Sequence, residues 1–359
     1  MKLLLLPRYD RLGASSRLRM MQYLPWLKSA GIDVDVEHLF SDAYVLGLQC
    51  NRRNTGEVIR AYVTRVNTLL GSGKYDLIWI EKELLPWMPA WLELLLLSKG
   101  VRYILDYDDA VFHYYDQHHI PLVKSLLGSK HPALMRKAAL VIAGNEYLAD
   151  FANHAGAKQV EIIPTVIDLE RYPVPEQADE RNQSLPLCIG WIGQRATAEY
   201  LQPYKQIFHR LSAEKIALFS AIGIDAQSLG LPMKSLSWSE SSEVANIASF
   251  DIGIMPLFDN PFERGKCGYK LIQYMACGLP VVASPVGVNC QLVEYGVNGF
   301  LAETPEEWEA ALKILLADKE LRRRMGLAGR KKIEEHFTIQ KTGPKVAMLL
   351  QDMLIHKGK

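Results

Sequence analysis

Two stretches of this chain repeat one rhythm: a short, almost wholly apolar run, a loop, then a segment with helical spacing. In the first stretch the apolar runs are Leu3–Leu6, Ile32–Val36, Leu77–Ile80, Tyr103–Leu105, Leu140–Ala143 and Val160–Ile163, with helical patterns over Leu18–Ala30, Thr55–Leu70 and Leu134–Ala138. Between Tyr172 and Leu187 the composition turns to Pro, Glu, Gln, Asp, Arg, Asn and Ser, which reads as a linker over 173–186. The rhythm then restarts. Leu187–Gly193, Ala217–Ala221, Ile252–Met255 and Pro280–Ala283 read as strands, and Tyr200–Leu211, Pro305–Leu316, Lys319–His336 and Thr342–Leu354 as helices. Near-continuous apolar strands alternating with helices predict a parallel sheet covered on both faces. A length of 359 residues fits two such domains. The expected architecture is α/β: two Rossmann-like, doubly wound parallel-sheet domains facing a cleft. Their expected bounds are 1–172 and 187–340, with a C-terminal helix at 341–359 packing back on the first domain. Ligands of such sheets sit beyond the carboxyl ends of the strands, so the cleft is the expected site.

Composition narrows the partners. There are 41 basic and 40 acidic residues, a net charge of +1, and such a balance carries no electrostatic footprint for nucleic acid. Five cysteines (Cys50, Cys188, Cys267, Cys277, Cys290) are scattered and lack CxxC spacing, which points to a reducing cytoplasm. The apolar start ends at Pro7 and reads as a buried strand, being too short for a signal-peptide core. Leu84–Leu97 holds two prolines and Glu93 and falls short of the roughly 20 residues needed to span a bilayer. Within it, Leu84–Leu92 reads as a core helix, or as an edge that touches a membrane through its tryptophans, with Lys124, Lys130, Arg136 and Lys137 adding attraction to an anionic surface.

The run Tyr269-Lys270-Leu271-Ile272-Gln273-Tyr274-Met275-Ala276-Cys277-Gly278-Leu279-Pro280-Val281-Val282-Ala283-Ser284, followed by Gly287 and Asn298-Gly299-Phe300-Leu301, resembles the donor-domain signature of family 4 glycosyltransferases. The resemblance implies the two-Rossmann GT-B fold, a retaining mechanism and no metal. It is specific between about Asp251 and Ala302. One departure stands out: where the family places two glutamates eight residues apart, this chain has Gly265 and Gln273, which marks a divergent branch. A neutral amide at Gln273 still offers hydrogen bonds to a ribose hydroxyl pair. Glu263, two residues from Gly265, is a candidate substitute.

A nucleoside diphosphate leaves with growing negative charge, so its site needs cations and fixed N–H donors. Lys266 and Lys270 read as one helical turn apart at the start of a helix opened by Gly268, where free N–H groups add to the cations. The alternative is a pair of solvated surface lysines. Gly193, Gln194 and Arg195 follow the first strand of the second domain, and Arg195 can fork onto phosphate oxygens. By resemblance, the base is contacted near Trp238–Ala245. In the first domain, Gly13-Ala14-Ser15-Ser16 resembles the family's N-terminal glycine loop, with Gly13 and Ser15 on the phosphate side; Ser15 or Ser16 also reads as a plain N-cap.

Asp106-Tyr107-Asp108-Asp109 ends a strand with three carboxylates, which need solvation, pairing or a use. Three uses compete for Asp108 and Asp109: orienting or deprotonating the acceptor hydroxyl, holding a metal as a DxD motif does in another fold, and capping the next helix. The acceptor role with capping is preferred over the metal. Asn145-Glu146, after the strand ending at Ala143, fits the expected cleft, and Pro164–Asp168, which resembles the family's Pro-Asn-Gly-Val-Asp run, reads as positioning the hinge. The expectation is a retaining, metal-independent glycosyltransferase without cofactor. Its partners are a nucleotide sugar and a glycan or lipid-linked acceptor in surface polysaccharide synthesis, and its location is cytoplasmic or peripheral at the inner membrane face. The rivals are a non-catalytic nucleotide-sugar or glycan binding protein of the same fold and a nucleotide-sugar epimerase. A phosphorylase is disfavoured by length.

Overall fold

The computed structural model describes residues 2–49, 52, 54–98, 100–173 and 186–355. Residues 174–185, most of the expected linker, lie outside the described residues. The chain forms two compact units: Met1–Thr165 with Gly265–Cys267 and Ile339–Lys359, and Val166–Arg264 with Gly268–Thr338.

In the first unit β1 (Lys2–Leu6), β2 (Asp33–Val36), β3 (Leu77–Glu81), β4 (Arg102–Tyr107), β5 (Leu140–Ala143) and β6 (Val160–Ile162) form one parallel sheet, in the order β2-β1-β3-β4-β5-β6. Leu3–Leu6 and Leu77–Ile80 are buried on both faces, which is why those strands show no alternation. β2 alternates Asp and Val because it is the sheet edge. The second unit repeats the design with β7 (Leu187–Ile192), β8 (Ala217–Ile222), β9 (Lys234–Leu236), β10 (Ile252–Met255), β11 (Val281–Ala283) and β12 (Gly299–Leu301), in the order β12-β11-β10-β7-β8-β9. Successive residues of its strands feed two apolar clusters, Ile189, Trp191, Ile252 and Ile254 in one and Ile192, Ile222, Met255 and Ala283 in the other. These are the two doubly wound sheets expected from the strand–helix rhythm.

The strand orders fix where chemistry can sit. The chain leaves β1 for one side of the sheet and returns to β3 on the other, so the order reverses between β1 and β3; in the second unit it reverses between β7 and β10. Loops at the carboxyl ends of such paired strands diverge and leave room for a ligand.

Several helices begin as their local chemistry dictates. Asn54 accepts the Glu57 N–H ahead of Thr55–Leu70, and Thr304 with Glu307 forms a reciprocal box ahead of Pro305–Ala317. Prolines cut two expected helices. Leu18–Ala30 is split into Ala14–Arg19, a 3-10 turn and Leu24–Ser29, with Pro25 opening the last. Tyr200–Leu211 is split into a 3-10 segment Arg195–Tyr204 holding Pro203 and the helix Lys205–Ala213. Proline lacks the N–H that a continuing helix needs. The expected core helix at Leu84–Leu92 is likewise corrected. Pro86 and Pro89 keep that segment in turns until Ala90–Leu97, and although Leu84 and Leu85 are buried, Trp87 and Trp91 are exposed. The helix Ile339–Ile355 belongs to the first unit, where Thr342 Oγ1 lies 3.1 Å from Tyr23 Oη and Gly343 faces the Trp26 ring. Among the described residues no helix is long and apolar enough to cross a membrane.

Candidate functional site

In the first unit the loops after β1, β3 and β4 carry the candidate residues. The chain turns out of β1 and is tied at once to β3: the Arg8 N–H donates to Glu81 Oε2 at 2.8 Å, and Ser16 Oγ donates to the same oxygen at 2.6 Å while accepting the Tyr9 N–H at 3.0 Å. Ser16 is therefore a strut and not a cap. The N-cap of Ala14–Arg19 is Gly13, with no side-chain cap bond, which overturns the N-cap reading of Ser15 and Ser16. Gly13 sits so close to Tyr9 that a Cβ there would lie 2.4 Å from Tyr9 Cβ. Ser15, half-buried, accepts a hydrogen bond from Lys82 Nζ at 3.2 Å.

Lys82 is the centre of this cluster. It follows β3 in a left-handed backbone conformation with φ of 61°, a strained state for a residue with a side chain. Its buried Nζ lies 2.7 Å from Asp108 Oδ1, 3.8 Å from Asp109 Oδ2 and 3.9 Å from Glu81 Oε1. Burial works against the ammonium, but Asp108, then Asp109 and Glu81, outweigh it and raise its pKa. For Asp108 burial favours the acid, and Lys82 with Arg19 holds its carboxyl below the ordinary value. Asp106 points elsewhere: it accepts from Arg19 Nε at 2.8 Å, and burial pushes it up to about 6 despite that partner. Arg19 continues to the Ile163 carbonyl at 2.7 Å.

The three carboxylates thus have three environments. Asp106 is locked inside, Asp108 is the half-buried partner of Lys82, and Asp109 is the most exposed of the set. Neither Asp108 nor Asp109 caps the next helix, His113–Asp116, whose N-cap is Phe112; the capping reading is corrected. The lysine ammonium sits near both carboxylates, where a DxD arrangement would present them to a metal. Among the described residues no group of three or more His, Cys, Asp or Glu is placed to hold a metal ion.

Sequence reasoning missed Lys82 and the buried network behind it. Glu83 accepts from Lys130 Nζ at 2.6 Å, from Tyr115 Oη at 2.9 Å and from Arg8 at 3.4 Å, and Lys130 also meets Glu93 at 2.7 Å. Glu93 in turn accepts the N–H groups of Leu84 and Leu85, fastening the loop that follows Lys82. The available signal was Glu81-Lys82-Glu83, alternating charges directly after an apolar strand. His131, buried beside this network with Nδ1 2.8 Å from Tyr107 Oη, is lowered to about 4, chiefly by burial. The unfolded chain binds a proton near the ordinary pKa of about 6.5, so between there and 4 it holds more protons than the folded one. Stability contributed by neutral His131 is complete above about 6.5 and lost as pH falls toward 4. Urea unfolding of the wild type and His131→Gln should show their stability difference changing by about 3 kcal/mol between those limits. A constant difference would refute the assignment.

Gly265 explains the missing first glutamate. A Cβ at this position would lie 2.5 Å from Ala110 Cβ and 2.8 Å from Ala110 N, so no side chain fits this backbone. Its carbonyl and that of Lys266 accept from Asn145 Nδ2 at 2.9 and 3.0 Å, while Asn145 Oδ1 caps the helix Glu146–His154. Cys267 Sγ donates to the Asp108 carbonyl at 3.2 Å. Lys266 therefore lies in an irregular segment of the first unit, ahead of the helix Tyr269–Ala276. That corrects the expectation that Lys266 and Lys270 are one turn apart on the same helix.

In the second unit Gly193, Gln194 and Arg195 follow β7. The Gly193 N–H donates to the Ile222 carbonyl at 3.1 Å, the Gln194 N–H to Thr197 Oγ1 at 3.3 Å, and Gln194 and Arg195 are exposed. Gly268, with φ of 65°, opens the helix that carries Lys270, whose Nζ lies 4.8 Å from the centre of the Trp191 ring on β7. Lys270 is thus brought back over the strand that ends at the Gly193 loop, on one side of the order reversal. Gln273 is buried, and its Nε2 donates to Tyr172 Oη at 3.0 Å; the Tyr172 carbonyl accepts from Arg330 at 2.6 Å. Glu263 is buried against the Tyr200 hydroxyl, which donates to it. Trp238 Nε1 donates to Glu243 at 2.6 Å. Asp168 caps the short turn Leu169–Arg171.

Residues 237–318 match the family described as glycosyl transferases group 1. A segment of 94 residues is 31% identical to N-acetyl-alpha-D-glucosaminyl L-malate synthase of Bacillus anthracis, covering 26% of this chain and 25% of that protein, so the match spans about a quarter of the relative. The fold is similar to sucrose-phosphate synthase from Thermosynechococcus elongatus, with a TM-score of 0.73 at 16% identity over 99% of both chains. It is also similar to Anabaena HepE in complex with UDP-glucose, with a TM-score of 0.69 at 18% identity over 98% of this chain and 100% of that one. The two-sheet architecture is that of the GT-B fold.

Proposed function

We propose that this chain is a glycosyltransferase that moves a sugar from a nucleotide-sugar donor to a hydroxyl of a glycan or lipid-linked acceptor, with retention at the anomeric carbon and without a metal or other cofactor. The observation that carries this reading is the match of residues 237–318 to group 1 glycosyl transferases, within a fold similar to one that holds UDP-glucose. That segment contains Lys270, Gly268 and Gln273.

The chemistry follows from what a departing diphosphate needs. Charge develops on its oxygens, and preorganised cations and N–H groups lower the barrier more than they favour the ground state. Lys270, held over Trp191, and Arg195 in the exposed loop after β7 are the second unit's cations for that charge. Lys266, on the first unit, is a further cation, whereas Gln273 is buried on the equally buried Tyr172 and is not assigned to the ribose. Gly13 and Ser15 of the first unit belong to the phosphate side. Asp109, the most exposed carboxylate of its set, orients the acceptor hydroxyl, and Lys82 with Asp108 holds the local charge in place. In the retaining route the acceptor attacks from the face the diphosphate leaves, and a leaving phosphate oxygen takes the acceptor proton. The role is the building of a surface glycan inside the cell.

Thermal unfolding with uridine, guanosine, adenosine and thymidine diphosphates is the first test. One of them should raise the midpoint, since a ligand at a hundred times its Kd stabilises by about 2.7 kcal/mol. The same nucleotide's sugars, offered with simple glycoside acceptors, should then show transfer. No shift with any nucleotide would count against the proposal. A shift without transfer or donor hydrolysis would favour the non-catalytic binding reading, which the glycine at 265 keeps in view.

A further inference from the structure

Two exposed apolar stripes on the first unit have no role in the chemistry above. On the helix Ala90–Leu97, Trp91 and Leu95 are one turn apart and 66% and 62% exposed; on the helix Pro121–Leu127, Leu122 and Leu126 are one turn apart and 67% and 62% exposed. The helices set out from one place. Trp87, 52% exposed and three residues before the first helix, stacks edge-on to His118, three residues before the second, with ring centres 5.8 Å apart. Trp87 is held there in a left-handed backbone conformation, with φ of 63°, and its N–H donates to Tyr115 Oη at 3.1 Å. A strained backbone that presents a large apolar ring to solvent asks for an occupant.

The charges say which. From Leu84 to Leu105 the sole carboxylate is Glu93, and from Gln117 to Asn145 there is none. Glu93 is buried on Lys130, and the neighbouring Asp116 is turned to His113 Nδ1 at 2.9 Å. The exposed charges in these segments include Lys124, set between Leu122 and Leu126, and Arg136 and Lys137. Apolar and tryptophan side chains flanked mainly by cations, with Asp116 paired to His113, match the interface of an anionic bilayer, where leucine reaches the acyl region, indole sits at headgroup level and lysine meets phosphate.

We propose that Trp87, Trp91, Leu95, Leu122 and Leu126 form a docking face for an anionic lipid surface, with Lys124 as its central cation. This face lies wholly in the first unit, and its affinity is measured without donor or acceptor, so it stands or falls separately from sugar transfer.

The test is co-sedimentation of the full chain with vesicles of phosphatidylcholine containing phosphatidylglycerol, and with phosphatidylcholine alone. The wild type should bind the anionic vesicles, more weakly at high salt, and bind the neutral ones poorly. Because the replaced side chains are exposed, the Trp91→Ser, Leu122→Ser, Leu126→Ser variant should keep the thermal midpoint and lose about tenfold or more in vesicle binding. Lys124→Glu should weaken binding to the anionic vesicles only, and it serves as the second probe if the triple variant misfolds. A wild type that stays in the supernatant, or variants that bind as well as it does, would overturn the proposal. So would a wild-type dimer that the triple variant turns into a monomer, since the face would then belong to a second copy.

Discussion

Lys82→Met should destabilise the protein by about 3–5 kcal/mol, the cost of leaving buried charge without its partner. The methionine keeps the apolar stem out to the Cε position and the backbone strain, so the change removes little besides the ammonium. Asp108, 2.7 Å from Nζ and with its side chain only 11% exposed, would lose the charge that holds its carboxyl ionised, and it would either stay charged at high cost or take up a proton. The decisive measurement is a double-mutant cycle by urea unfolding. Asp108→Asn in the Lys82→Met background removes the stranded charge, so the pair should be more stable than the sum of the single losses implies, by an interaction of about 1–3 kcal/mol. Simple additivity would show that Lys82 and Asp108 do not act as an ion pair.

Lys270→Ala should lower kcat/KM for sugar transfer by about a hundredfold to a thousandfold, the loss found when one group aimed at developing charge is removed. Most of the drop should fall on kcat, because the diphosphate carries more negative charge as it departs than it does in the bound donor. The fold should survive: Lys270 is half-buried, and what it gives to stability is its contact over the Trp191 ring, worth on the order of 0.5–2 kcal/mol. Lys270→Arg, which keeps the charge and shifts its geometry, should recover part of the rate. Turnover unchanged in Lys270→Ala would remove the phosphate assignment, and a loss confined to KM would recast it as ground-state binding.

Parts of the candidate site were visible in the chain and parts were hidden for a definable reason. The Gly193-Gln194-Arg195 loop and Gly268 with Lys270 follow from local signals, a glycine turn after a strand and a glycine before a helix. Lys266 looked helical by spacing alone, but Asn145, far away in sequence, holds its carbonyl in an irregular segment. Ser16 and the Asp108–Asp109 pair resembled helix caps because capping is the common local use of those residue types. Their actual partners, Glu81 and Lys82, come from a different strand. Lys82 itself escaped notice because nothing local marks a lysine for a left-handed backbone or for burial among three carboxylates.

What the sequence by itself determined is the architecture. Parallel strands buried on both faces must be apolar throughout and amphipathic helices must repeat at their own period, so the strand–helix rhythm prescribes two doubly wound sheets wherever it is read. What only the tertiary structure decided is which polar groups meet. Strand order β2-β1-β3-β4 brings the ends of β1, β3 and β4 side by side, and so places Ser15, Lys82 and Asp108 within hydrogen-bonding distance although they are separated by dozens of residues. Tertiary packing likewise set Ala110 against Gly265 and left no room for a glutamate there. Secondary structure is written in short-range periodicity, whereas a buried charge finds its partner through register between strands distant in the chain, and no local pattern records that register.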